Sequence, residues 1–250
     1  MRFKLIACEI LYRELCHLVS ASPHRIDLEF LPKGLHDLGS RSMLERLQAA
    51  VDKVESADYR AILLGYALCG NGLSGLQAPL SVPLVIPRAH DCITLFLGSR
   101  DRYQEYFENH PGVYFHTTGW MERGNSGELP QLALSGQSTV GWRLEDLIAR
   151  YGEEDAQYLF SQIGDLTRNY RQITFIRTGI GPEDALEGQS RQEAQERNWS
   201  FESIPGSLTL LERLLQGSWC DTDFAVVPPG HRLVGTHNGL IFTFEKGTNL

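Results

Sequence analysis

Cys8, Cys69 and Cys92 each follow a short apolar run of the kind that folds into a buried strand. The runs are Phe3-Lys-Leu-Ile-Ala, Tyr59 to Tyr66 and Val82 to Pro87. Thiolates are ligands for zinc and for iron–sulfur clusters, and nucleophiles when an adjacent base ionises them. Other chemistry-bearing residues crowd the same three positions. Glu9 follows Cys8, and Arg88-Ala-His90-Asp91 leads into Cys92. His36 and Asp37 come just after another strand-like run, Arg25 to Leu31. If the three cysteines meet, they form a three-thiolate metal site with His90 or His36 as a fourth ligand. Three thiolates with an open position also suit a four-iron cluster whose free iron meets substrate. In this reading His90 is a fourth ligand or a base, and Asp91 and Glu9 supply carboxylates. Arg88 clamps an anionic substrate through its planar fork.

Two other chemistries compete for these residues. Gly70-Asn71-Gly72-Leu73-Ser74-Gly75 has the spacing of a dinucleotide-binding loop. It follows the third strand rather than the first, however, and Pro79 cuts short the helix that should come after it. No lysine followed by serine or threonine completes a phosphate loop. The plain alternative is a tight turn in which glycines take positive φ. Asn71 in this loop, His36 and Trp120 are the candidates to line a cofactor. In the second competing chemistry, Cys69 or Cys92 is a metal-free nucleophile served by His90. Cys16, within a helical run, and Cys220, in a turn, read as structural.

The elements that must position these groups alternate. Ile10 to Ser20 and Ser42 to Val54 have helical spacing, the latter with Ser42 and Glu45 as a capping box. Cys92 to Glu108 reads as one more helix. Strand–helix alternation of this kind predicts an α/β fold with a parallel sheet and helices on both faces. In such a sheet the carboxyl ends of all strands share one rim, where ligands bind. Residues 122–139 are polar and rich in Gly and Ser, as linkers are. After them come further helices and strands, the last at Leu240 to Phe244. The expected organisation is a Rossmann-like lobe over 1–120, a linker over 121–141, and a second α/β lobe over 142–250, with a cleft between the lobes. Gly112 to Trp120, with Tyr114, His116 and Trp120, would then enter that cleft or pack between the lobes.

Composition narrows the partners. The net charge is -8, which disfavours nucleic acid. No apolar run reaches the roughly 20 residues a membrane helix needs. Five cysteines in an odd-numbered set, with no leader-like segment before them, suit reduced thiols in a cytoplasm. The expected partner is a small anionic or thiol substrate.

The segments ACEILYREL, GLHD, LGYALCGNG, PRAHDCITLFLGS and GVYFHTTGW together resemble the family catalogued as domain of unknown function 1638. The likeness continues through LLQGSW and DFAVVPPG. Ala67 and Val113 depart from the family pattern, which has glycine and threonine there. The resemblance implies a setting in anaerobes and methanogens, alongside corrinoid-dependent methyl metabolism, and no settled reaction. It adds weight to a metal–thiolate site that handles a methyl group or a thiol. It also admits a non-catalytic carrier of a corrinoid, tetrapyrrole or metal.

Overall fold

The computed structural model describes residues 1–55, 58–123, 148, 151–163, 170–236 and 239–247, with the side chains of 36–38 and 159–163 outside the description. The chain begins with β1 (Arg2–Cys8), a 3₁₀ turn (Glu9–Leu11) and α1 (Tyr12–Ser20). Then come β2 (Arg25–Leu31), a second 3₁₀ segment (Lys33–Leu38), α2 (Ser40–Asp52), β3 (Ala61–Gly65) and β4 (Leu84–Pro87). Next are α3 (Cys92–Leu97), α4 (Arg100–Asn109), β5 (Val113–His116) and α5 (Thr118–Glu122). The described remainder holds α6 (Glu153–Ile163), β6 (Gln172–Arg177), α7 (Glu183–Glu196), β7 (Ser200–Pro205), α8 (Thr209–Gln216), β8 (Phe224–Val227), β9 (His231–Gly235) and β10 (Phe242–Lys246).

The main sheet has the order β2-β1-β3-β4-β8. Its first four strands are mutually parallel, and β8 closes one edge antiparallel to β4. β3 is buried along its whole length, which explains why it is uniformly apolar. β2 is only half-buried and alternates, as an edge strand does. From β1 the chain steps outward to β2, then returns past β1 to β3. The topological switch point therefore lies between β1 and β3. α8 packs on α1 and covers β3 and β4.

A second, three-stranded parallel sheet has the order β5-β6-β7. The fold is thus mixed α/β with a mostly parallel main sheet, as the alternation predicts. The pairing of strands crosses the spans 1–120 and 142–250. β5, from the first half, belongs to the second sheet, and α8 and β8, from the last fifty residues, complete the first. The linker reading over 121–141 falls largely on 124–141, outside the described residues.

Two local expectations are corrected. The helix expected over Cys92 to Glu108 is two helices, because Gly98 turns left-handed at φ 76° and ends α3, and Ser99 caps α4 by accepting from Arg102 N. The capping box at Ser42 is not formed. α2 starts two residues earlier, after Gly39, and Glu45 pairs with Arg41 instead.

The two sheets meet where α5 lies against the first 3₁₀ turn. A side chain at Gly119 would run into the Ile10 carbonyl and its flanking backbone. Backbone cannot yield as a flexible side chain can, so Gly119→Ala should destabilise the protein by roughly 1–3 kcal/mol. Chemical denaturation checks this, and a variant as stable as the parent would show that the contact is loose.

Candidate functional site

Cys8 is the last residue of β1, and Cys69 lies four residues past β3, so the two flank the switch point. Cys92 opens α3, after β4. Two hydrogen bonds tie the loops that leave β3 and β4. Leu68 N donates to the Ala89 carbonyl and Cys69 N to the His90 carbonyl, both at 2.9 Å. They fix Cys69 beside the His90-Asp91-Cys92 segment. Cys69 itself is left-handed, at φ 48°. For a residue with a Cβ this conformation is uncommon, and such strain of about 1–3 kcal/mol collects at functional sites. A Cβ at Gly72 would meet the Met43 sulfur of α2, so that side chain would have to shift.

The three thiols share one apolar neighbourhood. Burial pushes the Cys8 thiol up to about 12, and Glu9 adds to the effect. Burial likewise pushes Cys69 up to about 12, with further contributions from Cys8 and Asp91. Cys92 is raised well above its ordinary value by burial, then by Cys69, Asp91 and Cys8. The ionised form of each thiol is thus opposed first by loss of water and then by its neighbours. Tyr66 stands among them. It is 2% exposed, and its hydroxyl has no hydrogen-bond partner. Burial, Cys8, Cys69 and Glu9 all raise its pKa. An orphaned hydroxyl in a dry core costs about 1–3 kcal/mol unless something satisfies it. Among the described residues, no group of three or more His, Cys, Asp and Glu side chains stands so that it could hold a single metal ion.

Several candidate residues turn out to be occupied otherwise. Arg88 does not reach for an anion. Its Nε donates to the carbonyls of Asp221 (2.7 Å) and Phe224 (3.1 Å), and its Nη1 to those of Leu240 (2.6 Å) and Phe242 (2.5 Å). It pins β8 and β10 to the end of β4. Glu9 accepts from Lys33 N at 2.9 Å and faces Arg123 at 3.8 Å. Asp91 is the N-cap of α3, accepting from Ile93 N (3.0 Å) and Thr94 N (3.4 Å), and it also accepts from the Tyr103 hydroxyl at 2.6 Å. Burial raises the Asp91 pKa, while those donors and His90 work the other way. The His90 side chain is exposed, and its carbonyl rather than its ring holds Cys69. Asn71 is an exposed left-handed turn residue, its carbonyl accepting from Ser74 N. The His36 side chain lies outside the described residues.

A cavity of ≈ 250 Å³ opens beside Cys92. Asp91, Cys92 and Phe96 come from the main sheet's rim, Tyr114 and Phe115 from β5, and Trp120 from α5. The second sheet thus supplies the far wall. Trp120 is the candidate cofactor residue that does line this cavity, and Tyr114 joins it. His116 does not reach it. That ring is buried and bonded to the Ser190 hydroxyl at 2.9 Å, and burial lowers its pKa. Sequence reasoning missed Tyr66, Tyr103 and Tyr170. Tyr66 had one legible signal, a phenol at the end of a strand too apolar to offer it a partner. Tyr103 and Tyr170 carried none, since only the meeting of the two sheets brings them to the cavity.

Among the described residues no helix is long and apolar enough to cross a membrane. No curated protein matches the chain, and no solved structure does. The family model described as "Protein of unknown function (DUF1638)" matches residues 30–215, a span that contains Cys69 and Cys92 and begins after Cys8. The chain belongs to that family.

Proposed function

We propose that the chain binds a metal through the thiolates of Cys8, Cys69 and Cys92 and works on a small molecule held in the adjoining cavity. The observation that carries this reading is the Tyr66 hydroxyl, buried among the thiols without a partner. A dry core does not retain an orphaned phenol beside ionisable thiols without cost, and a bound cation with its ligands would answer both. The raised thiol pKa values set a cost on that binding, since each ligand must lose its proton. Without a cation these groups stay protonated at neutral pH, and metal binding is what ionises buried thiols.

The donor chemistry fits, and it favours an iron–sulfur cluster over zinc. Zinc needs its four donors to meet at one point, whereas a cluster takes each thiolate on a different iron and keeps the sulfurs apart. The three cysteines share a neighbourhood without converging on a single ion. A bound centre would supply an open coordination position or an electron route for small-molecule group transfer, with methyl or thiol groups as the cargo. Around it the chain's own residues have plainer tasks. Asp91 and Tyr103 fix the start of α3 and so the place of Cys92, while the aromatic walls exclude water. All five cysteines are free thiols, which suits a reducing cytoplasmic compartment.

Two other readings are less well supported. A metal-free cysteine nucleophile needs a depressed thiol pKa, and burial drives all three the other way. A carrier of a corrinoid or tetrapyrrole needs more room than ≈ 250 Å³, a volume below the usual range for drug-sized ligands.

Elemental analysis of protein purified without oxygen tests the reading. Iron or zinc should be present in stoichiometric amount, and broad visible absorbance should accompany iron. Cys69→Ser and Cys92→Ser should each lower metal content about tenfold or more. Unchanged metal content in both variants would sink the idea.

A further inference from the structure

We propose that the cavity beside Cys92 takes a small organic cation of the alkylammonium class, held by its aromatic walls and the Asp91 carboxylate. The proposal deepens the function proposed above by naming the substrate class. It rests on that reading only in treating this cavity as the substrate chamber.

Seven aromatic side chains line the cavity: Phe96, Tyr103, Phe107, Tyr114, Phe115, Trp120 and Tyr170. Among the described residues that line it, Asp91 is the carboxylate and none is a lysine or arginine. An anionic substrate would therefore meet the negative charge of Asp91 and a largely aromatic lining. A cation would meet the carboxylate and any ring face turned to the cavity, because ring faces carry negative potential. Asp91 is held rigidly by the Tyr103 hydroxyl (2.6 Å) and Ile93 N (3.0 Å), so its charge is preorganised. One wall ring already binds a cation. The Lys33 ammonium lies 4.1 Å from the Trp120 ring centroid, although Lys33 does not line the cavity. A ligand would use the other rings and any Trp120 surface that faces the cavity.

Substitution on nitrogen suits the walls as well. An ammonium rich in N–H groups would need several acceptors, and the walls are mostly carbon. An ammonium whose hydrogens are replaced by alkyl groups needs none and buries apolar surface. The volume of ≈ 250 Å³ leaves room for a ligand of a few heavy atoms.

Titration calorimetry on the full chain separates charge from shape. Choline and its neutral carbon isostere 3,3-dimethylbutan-1-ol are compared, with benzoate as the anion. Choline should bind at least about tenfold tighter than the isostere, consistent with a desolvated cation–π site. Asn caps a helix as well as Asp does, so Asp91→Asn keeps the start of α3 and removes the charge, while the Tyr103 hydroxyl turns from donating to Asp91 to accepting from the new amide. It should weaken choline about tenfold and leave the isostere unchanged. Trp120→Leu should weaken choline too, and it serves as the second variant if Asp91→Asn melts early. The proposal is overturned if the isostere or benzoate binds as tightly as choline, or if neither variant weakens choline. Repeating the titration with Cys69→Ser, a proposed metal ligand that does not line the cavity, keeps the two readings apart. Choline binding that survives loss of metal upholds the cation site whatever becomes of the metal. A metal-loaded chain that ignores choline defeats this proposal and leaves the thiolate site standing.

Discussion

Replacing Arg88 by methionine should destabilise the protein by about 2–4 kcal/mol. The side chain is buried, and its guanidinium serves four main-chain carbonyls, those of Asp221, Phe224, Leu240 and Phe242. Methionine has similar length and no donor. The substitution strips a partner from the buried Phe224 and Phe242 carbonyls at about 1–3 kcal/mol each, whereas the Leu240 carbonyl keeps Phe242 N and Asp221 is an exposed residue. Part of the loss is regained because the charge itself was costly to bury. Burial is the leading influence on this guanidinium and lowers its pKa. Urea unfolding of the variant measures the balance. The loss should centre on β8 and β10, the strands whose carbonyls Arg88 holds, so amide exchange should rise first over 221–227 and 239–246. A variant within 1 kcal/mol of the parent would return Arg88 to the candidates for anion binding.

Arg88 shows where sequence reading stops. Its neighbours His90, Asp91 and Cys92 made it look like part of a reactive loop, and it does sit at the rim that the strand pattern predicts. What it faces there is decided by β8 and β10, more than 130 positions away. The main sheet was legible because β1, β3 and β4 are apolar runs separated by helical spacing, a signal local in sequence. The second sheet was not. Val113-Tyr-Phe-His116 is a four-residue strand whose partner begins at Gln172, and nothing local announces a pairing across that distance. The candidate site divides along this line too. The cysteines were readable as strand-end residues, and the left-handed backbone of Cys69 now gives one of them a specific conformation. The cavity walls were not readable, because they exist only where two sheets meet.

The contact between those sheets also holds a proton. Glu14, on α1, is fully buried, and one of its oxygens accepts from the Thr178 hydroxyl at 2.9 Å while the other has no partner. Thr178 lies in the loop between β6 and α7. The same hydroxyl is 3.3 Å from Glu183, which is held by Thr178 N and Gly179 N. Arg13, the nearby cation, is engaged by Glu122 at 2.6 Å. Burial is the main reason the Glu14 carboxyl is pushed up to about 7, with Glu183 adding to it and its own backbone N–H, Thr178 and Arg13 pulling the other way. A carboxyl whose folded pKa exceeds its unfolded value binds more protons when folded. Its contribution is therefore fully present below about 4.5 and is lost as the pH climbs to about 7, after which it stays constant. A shift of this size corresponds to about 3 kcal/mol. His116, whose pKa burial lowers, works in the opposite sense, so the difference between parent and variant isolates Glu14. Glu14→Gln keeps the shape and cannot ionise. At pH 5 it should match the parent to within about 1 kcal/mol, and at pH 8 it should be more stable by about 2–3 kcal/mol. Urea unfolding of both proteins across that range gives the answer. Parallel pH profiles would mean that Glu14 titrates as an ordinary carboxylate and that water or a cation reaches its second oxygen.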